Sequence, residues 1–175
     1  MKLTRLLTFG LVTLAAIGCD DNPLNTRTPS EPPPPTQGVQ AFLQVDRDQA
    51  QPGERVLVTV RVQLGTESQA KIGSYTGRLK FDPTALGWAG DEEINDGLRV
   101  VNPKGAGNGE IRFAGAAARG LGNLVLYQGT FEVRRAGYTD QLKLQMEELS
   151  AALTLGNLQP QLRVAPRVFL SQNAN

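Results

Sequence analysis

The side chains that most enzymes use for nucleophilic or metal chemistry are scarce in this chain of 175 residues. It contains no His and a single Cys, which excludes Ser-His-Asp and Cys-His pairs, His-based metal sites, intramolecular disulfides and multi-Cys clusters. Glycoside hydrolysis needs two carboxylates across a cleft, whereas the acids here fall in turns or at outward strand positions, as Glu110 and Glu132 do. The composition therefore predicts a protein that is not an enzyme and needs no cofactor.

The single Cys, Cys19, ends a segment that is typical of an export signal. Lys2 and Arg5 give the segment a basic start, and an apolar run follows from Leu6 to Ile17. Because a bilayer span needs about 20 apolar residues, this run is too short to cross a membrane, but it suits the core of a signal peptide. We therefore predict that residues 1–18 direct export.

The residues Ala16-Ile17-Gly18-Cys19 resemble a bacterial lipobox. In such a site the peptidase cuts between Gly18 and Cys19 after the thiol has received a diacylglyceryl group, and several acyl chains give stable anchoring. Two alternatives stay open: ordinary signal peptidase would leave Cys19 as a free thiol, and an uncleaved run would be an N-terminal anchor. The resemblance implies a lipid-anchored protein of a bacterial cell envelope, facing the periplasm or the cell exterior.

The segment from Asp20 to Gly38 has the composition of a linker. It contains Pro23, Pro29 and the run Pro32–Pro35, and Leu24 is its only large apolar residue. Such a segment cannot bury enough apolar surface to fold, and its Pro run favours extended polyproline II. We divide the chain into a signal peptide, a lipidated Cys with a disordered Pro-rich tether, and one domain (1–18, 19–38 and 39–175).

The domain shows the period of two that β-strands produce, most clearly where four valines alternate with polar residues in Glu54–Gln63. Glu147–Ala152 favours a helical turn. The other strong strands are predicted at Lys71–Asp82, Glu110–Gly115, Asn123–Arg135 and Gln141–Met146, and weaker ones at Phe42–Asp46, Leu86–Ala89, Leu98–Val101, Ala152–Leu155 and Gln161–Phe169. Turn-rich intervals between them predict an all-β fold, an antiparallel jelly-roll-like β-sandwich of about nine strands.

Four pieces of the domain resemble a cohesin module, within the group of bacterial sandwiches that includes cellulose-binding modules. In order, they are Pro52-Gly53-Glu54 before a valine-rich strand, GSYTGRLKFDPTAL at 73–86, GEIRFA at 109–114 and GNLVLYQGTFEV at 122–133. Each piece is a turn with a strand, so their order and spacing carry the resemblance. Cohesins hold dockerins, the calcium-loaded modules of polysaccharide-degrading enzymes, through one sheet face, and relatives bind polysaccharide.

The resemblance implies a non-catalytic binding module that takes a dockerin-like protein partner at the cell envelope, in polysaccharide catabolism. Two alternatives stay open: polysaccharide binding on the same fold, and a structural envelope lipoprotein. Trp88 and Tyr138 are the aromatic residues that we expect at the surface. The net charge of +1, without basic runs, predicts no nucleic-acid partner. Strand alternation alone predicts a polar binding patch at Ser74, Thr76, Arg78, Lys80 and Arg112.

The loop Asp91–Gly97 contains carboxylates that could hold Ca²⁺. If Gly97 is the sixth position of an EF-hand loop, the third and twelfth positions lack the carboxylates that the motif needs. We therefore predict a solvated loop and no metal site, with three weak candidates, Asp91, Glu93 and Asp96.

The lipid anchor is tested by replacing Cys19 with Ser. We expect the protein to move from the membrane fraction to a soluble or uncleaved form, because no thiol remains to be acylated. Fractionation and mass spectrometry of the N-terminus measure this. Wild-type protein without acyl mass at its N-terminus would contradict the prediction.

Overall fold

A computed structural model describes residues 31–122 and 124–170. Over these ranges the regular elements are ten β-strands and three short 3-10 turns, without an α-helix. The predicted all-β fold is confirmed. The strands are β1 (Val39–Val45), β2 (Arg55–Leu64), β3 (Ile72–Lys80), β4 (Leu86–Asp91), β5 (Leu98–Asn102), β6 (Glu110–Ala116), β7 (Val125–Val133), β8 (Lys143–Ala151), β9 (Leu162–Val164) and β10 (Val168–Phe169).

The strands form two sheets that pack face to face as a sandwich. The six-stranded sheet has the order β10-β1-β2-β7-β4, with β9 also pairing with β1, and the four-stranded sheet has the order β5-β6-β3-β8. The ladders are antiparallel except that β9 and β10 lie parallel to β1. The predicted antiparallel sandwich is therefore confirmed, with a parallel edge that the sequence pattern did not indicate.

Three predicted elements differ from the structure. Strand β8 continues to Ala151, so the helical turn predicted at Glu147–Ala152 is wrong; a register shift opposite Thr76 and Gly77 absorbs an extra residue in β8. The strand predicted at Ala152–Leu155 is a turn. The strand predicted at Gln161–Phe169 is two short strands, because Pro166 between them has no N–H to donate to a ladder.

Three aromatic rings join the two sheets at the centre of the core. Phe113 of β6 stacks on Tyr127 of β7 with ring centroids 5.4 Å apart, and Tyr75 of β3 lies 6.3 Å from Phe113. The buried Tyr75 hydroxyl donates a 2.8 Å hydrogen bond to the Leu126 carbonyl of the opposite sheet. A buried hydroxyl must find such a partner, so this bond fixes how the sheets sit on each other.

Three inward-facing glycines make room for these rings. A Cβ on Gly77 would lie 2.5 Å from the Phe113 ring, and a Cβ on Gly115 or Gly129 would overlap Tyr75 or Tyr127. These glycines therefore lie directly against the rings. Asp82 forms an Asx turn after β3, because the Thr84 N–H donates to Asp82 Oδ1 at 2.8 Å.

The fit between glycine and ring is tested by Gly77→Ala. The added methyl overpacks the core, and we expect the free energy of unfolding to fall by about 1–3 kcal/mol in urea denaturation. Gly107→Ala is the matched control, because a Cβ there has no heavy atom within 4 Å. Equal effects of the two substitutions would contradict the role assigned to Gly77.

Candidate binding site

The outer face of the four-stranded sheet brings together all five residues predicted to form the polar patch. Ser74, Thr76, Arg78 and Lys80 alternate with buried residues on β3, and Arg112 lies directly opposite Arg78 on β6. Outward residues of the neighbouring strands β5 and β8 lie beside them and widen the same outer face. The structure thus places the five residues on one face; that they bind a partner stays a prediction.

One half of this face is an ordered charged cluster built around Arg78. Its guanidinium pairs with Glu147 through Nε and lies 3.5 Å from Glu110 through Nη1. Arg112 Nε donates to the same Glu110 carboxylate at 2.9 Å. The hydrogen bond from Arg112, together with the nearby Arg78 charge, lowers the pKa of Glu110. The carboxylate therefore stays ionised, and the cluster is ordered before any partner arrives.

A corner of the charged half carries two lysines that face each other. Lys80 and Lys143 are opposite partners in the β3–β8 ladder, and both side chains are exposed. In the described part of the chain, neither has a carboxylate within ion-pair distance. Like charges directly opposite each other on a sheet repel, so this corner is favourable for a carboxylate from outside.

The other half of the face is apolar, which the sequence analysis missed. Leu98 and Val100 point outward from β5 and are 78% and 67% exposed, and the small residues Ala114 and Ala116 lie beside them on β6. The period-two argument assumes that apolar residues face inward, so it had no means of placing these two outside. Only the structure shows that Leu98 and Val100 are both on the outer face of the sheet.

A turn after β8 completes the apolar half. Leu153 and Leu155, in the turn at residues 152–156, are 84% and 79% exposed. They face Leu98 across a groove of about 570 Å³. The floor of the groove is made of small residues: Gly73, Ser74, Ala116, Ala117, Ala118 and Ala152.

The described part of the predicted tether is tied to the six-stranded sheet. Glu31 lies 2.6 Å from Arg61, an outward residue of β2, and also accepts a 3.2 Å hydrogen bond from Gln63. The Pro35 carbonyl accepts a bond from the Thr66 N–H at 3.0 Å. Residues 31–38, the described part of the predicted tether, therefore lie along the six-stranded sheet and leave the face of the four-stranded sheet uncovered.

Comparison with solved structures identifies the fold. No protein-family description matches the chain, and no curated protein matches it. A cohesin from scaffoldin B of Acetivibrio cellulolyticus, solved with a Cel5 dockerin mutant, matches with a TM-score of 0.55 at 15% identity, over 78% of this chain and 100% of its own. The domain has the cohesin fold.

Two other cohesins support the same conclusion. The cohesin of a Clostridium thermocellum type I cohesin–dockerin complex matches with a TM-score of 0.55 at 13% identity, over 82% of this chain and all of its own. A non-cellulosomal cohesin from the archaeon Archaeoglobus fulgidus matches with a TM-score of 0.50 at 19% identity. The match covers 77% of this chain and 94% of that cohesin. The predicted resemblance to a cohesin module is confirmed at the level of the fold.

Cys19 and Gly18, the predicted lipidation and cleavage residues, lie outside the described residues. Among the residues that the structure describes, no helix is long and apolar enough to cross a membrane. Anchoring at Cys19 therefore stays a prediction.

The weak calcium candidates on the acidic loop of the cohesin fold do not converge. Asp96 accepts a 2.9 Å hydrogen bond from the Gly122 N–H, and Glu92 accepts one of 2.8 Å from the Thr130 hydroxyl. The cavity beside Asp91 and Glu93 is also lined by the cationic Arg99. Within residues 31–122 and 124–170, no three His, Cys, Asp or Glu side chains are grouped so that they could hold a metal ion.

The aromatic residues that we expected at the surface are engaged inside the domain. Tyr138 is buried and donates a 2.8 Å hydrogen bond to the Arg47 carbonyl, so its predicted exposure is wrong. Burial raises the pKa of Tyr138 to about 12. Trp88 is half-buried, and its indole N–H donates to the Tyr127 hydroxyl at 3.1 Å. Neither residue forms part of a flat aromatic platform.

The absence of a metal requirement is tested by thermal unfolding with and without a chelator. We expect an unchanged melting temperature, because no three carboxylates of the described residues are grouped so that they could hold a metal ion. An ion present at 100 times its dissociation constant would stabilise by about 2.7 kcal/mol, which corresponds to a shift of several degrees. A shift of that size, removed by Asp91→Asn, would contradict the prediction and identify the loop as a site.

Proposed function

We propose that this domain is a non-catalytic protein-binding module that holds a dockerin-like partner on the outer face of its four-stranded sheet. The observation that carries the proposal is the composition of that face. Exposed aliphatic residues at one end adjoin an ordered charged cluster at the other. Protein interfaces combine apolar anchors with a polar, hydrogen-bonded rim in this way. The face is built on strands and needs no rearrangement to bind.

The structural neighbours support a protein partner. The cohesins from Acetivibrio cellulolyticus and Clostridium thermocellum were solved in complexes with dockerins. Identities of 13–15% make this an argument from the fold. The additional support comes from this chain's own residues, because the partner's side chains would contact Leu98 and Val100 at one end and Lys80 and Arg112 at the other.

The carboxylates of the face are poorly suited to catalysis. A general acid for glycoside hydrolysis needs a raised pKa, whereas the pKa of Glu110 is lowered by its hydrogen bond from Arg112. Glu147 is likewise paired with Arg78. Polysaccharide binding lacks a comparable observation, because no aromatic side chain of the described residues is fully exposed.

The same proposal includes the place where the module is displayed. A lipid at Cys19 would anchor the chain to a bacterial cell envelope, facing the periplasm or the exterior. Residues 31–38 would then bring the domain away from the lipid surface along its six-stranded sheet. Because Glu31 and Arg61 hold the tether on that side, the four-stranded sheet would stay uncovered and open to a secreted partner.

The proposal is tested with the purified full-length protein in detergent, used to capture proteins from the secreted fraction of its own organism. Each captured protein is then purified and titrated by calorimetry. We expect a dissociation constant in the micromolar range or tighter, and Lys80→Glu with Arg112→Glu should weaken it about tenfold, or 1.4 kcal/mol, by placing acid in the charged half. The matched control is Arg55→Glu with Arg163→Glu, exposed residues of the six-stranded sheet.

Three outcomes would contradict the proposal. The first is that no captured protein binds when purified. The second is that the control pair weakens binding as much as the pair on the four-stranded sheet. The third is retention of the domain on insoluble polysaccharide in the absence of any protein partner, which would favour carbohydrate binding.

A further inference from the structure

A second groove lies at the side of the sandwich, between the edges of the two sheets. Leu43 of β1 and Leu142, just before β8, form its apolar floor, and both are almost fully buried. Leu144 of β8 forms one wall, and the end of β9 with the link to β10, at residues 164–166, forms the other. The groove has a volume of about 480 Å³, which is within the range of about 300–1,000 Å³ that is typical of ligand sites.

The free edge of β8 is covered over only part of its length. Because β8 is the last strand of its sheet, one row of its backbone groups has no partner in the ladder. Residues 156–159 cover the second half of that row. The Leu158 N–H donates to the Leu149 carbonyl at 2.8 Å, and the Gln159 side-chain amide donates to the Met146 carbonyl at 2.9 Å. The chain itself therefore already uses this edge for strand-like pairing.

The first half of the same edge is open beside the groove. Alternate residues of an edge strand turn their backbone groups to the same side, so the N–H and carbonyl of Leu144 point outward like the carbonyl of Met146. Among the described residues, no backbone group outside the ladder bonds to Leu144. Open backbone groups next to an apolar groove allow an extended peptide to add as a further strand.

A guanidinium that lines the groove lacks a hydrogen-bond acceptor. The Nη1 atom of Arg167 is buried and has no hydrogen-bond partner in the described part of the chain. Its ion-pair partner Asp140 is 80% exposed, and the two atoms are 3.6 Å apart, which is too far for a hydrogen bond. Buried polar groups normally have a partner, and a carboxylate can bind a guanidinium through two parallel hydrogen bonds. This end of the groove therefore suits a carboxylate.

We infer that this side groove binds the C-terminal end of an extended apolar peptide, which adds to the edge of β8 and places its carboxylate on Arg167. The backbone of the peptide pairs with Leu144, and its apolar side chains contact Leu43 and Leu142. A fatty acid could use the floor and the guanidinium, but it would leave the strand edge unpaired. The groove is separate from the outer face of the four-stranded sheet, so this is a second binding site.

The positions of the charged groups set the direction and length of the peptide. Arg167 pairs with Asp140, which precedes β8, so the carboxylate lies at the start of β8 and the peptide runs antiparallel to that strand. The open edge from Leu142 to Met146 is about 13 Å long at about 3.3 Å per residue, which about five peptide residues cover. Side chains alternate along a strand, so the last residue and the third from the end enter the groove and should be apolar.

The site is tested by calorimetry on the full-length protein in detergent. The probe is an acetylated peptide of six residues that alternates Thr with Val and ends in Val, made once with a free carboxylate and once with a carboxamide. We expect the free acid to bind with a dissociation constant below about 1 mM, and at least about tenfold more tightly than the amide. Arg167→Gln should remove this preference. Arg163→Gln is the matched control, because Arg163 is an exposed residue of β9 outside the groove, and it should keep the preference.

Two further measurements separate the carboxylate contact from the strand pairing. Asp140→Asn removes a negative charge near the bound carboxylate, so it should tighten binding of the free acid about twofold or more and leave the amide unchanged. Two peptides, each N-methylated at one of two adjacent central residues, test the pairing with β8. One should lose binding about tenfold and the other should keep it, because only alternate N–H groups of a strand face the neighbouring strand.

Four results would overturn the peptide site. They are a free acid that does not bind or binds no better than the amide, an Arg167→Gln variant that keeps the preference, two N-methylated peptides that both bind like the parent, and decanoate binding more tightly than the peptide. The last result would identify the groove as a fatty-acid site instead. None of these measurements needs the partner captured on the four-stranded sheet, so their failure leaves the proposed function intact.

Discussion

The close packing of three aromatic rings against three glycines is the constraint on which the rest of the domain depends. Tyr75, Phe113 and Tyr127 occupy the space between the sheets, and glycines on β3, β6 and β7 leave that space open. The Tyr75 hydrogen bond to the opposite sheet then sets the relative position of the two layers. Because a close-packed core resists small displacements, the outer face of the four-stranded sheet is a rigid platform, and its side chains are held in fixed rows.

The two outer faces of the sandwich have different roles because different segments lie on them. Residues 31–38 follow the six-stranded sheet, and β9 and β10 add to its edge beside β1. In the described part of the chain, both ends of the domain therefore lie on that sheet. The four-stranded sheet is left with an uncovered outer face, so the chain's own path decides which side is open to a partner.

Two features of the uncovered face are unfavourable in the free domain. Leu153 and Leu155 are strained and solvent-exposed, and Lys80 faces Lys143 across a ladder. Each feature costs stability in the free domain, and each would be relieved by a partner that supplies apolar contact or carboxylates.

Residue order alone determined most of the β-strands, the buried valines and the grouping of Ser74, Thr76, Arg78 and Lys80 on one face. These follow from local rules, because side chains alternate along a strand and turn residues end it. Tertiary structure alone decided the rest. The parallel pairing of β9 and β10 and the meeting of Leu98 with Leu153 and Leu155 join residues far apart in the chain. Alternation shows which residues share a face of one strand, but which strands become neighbours depends on how the two sheets pack.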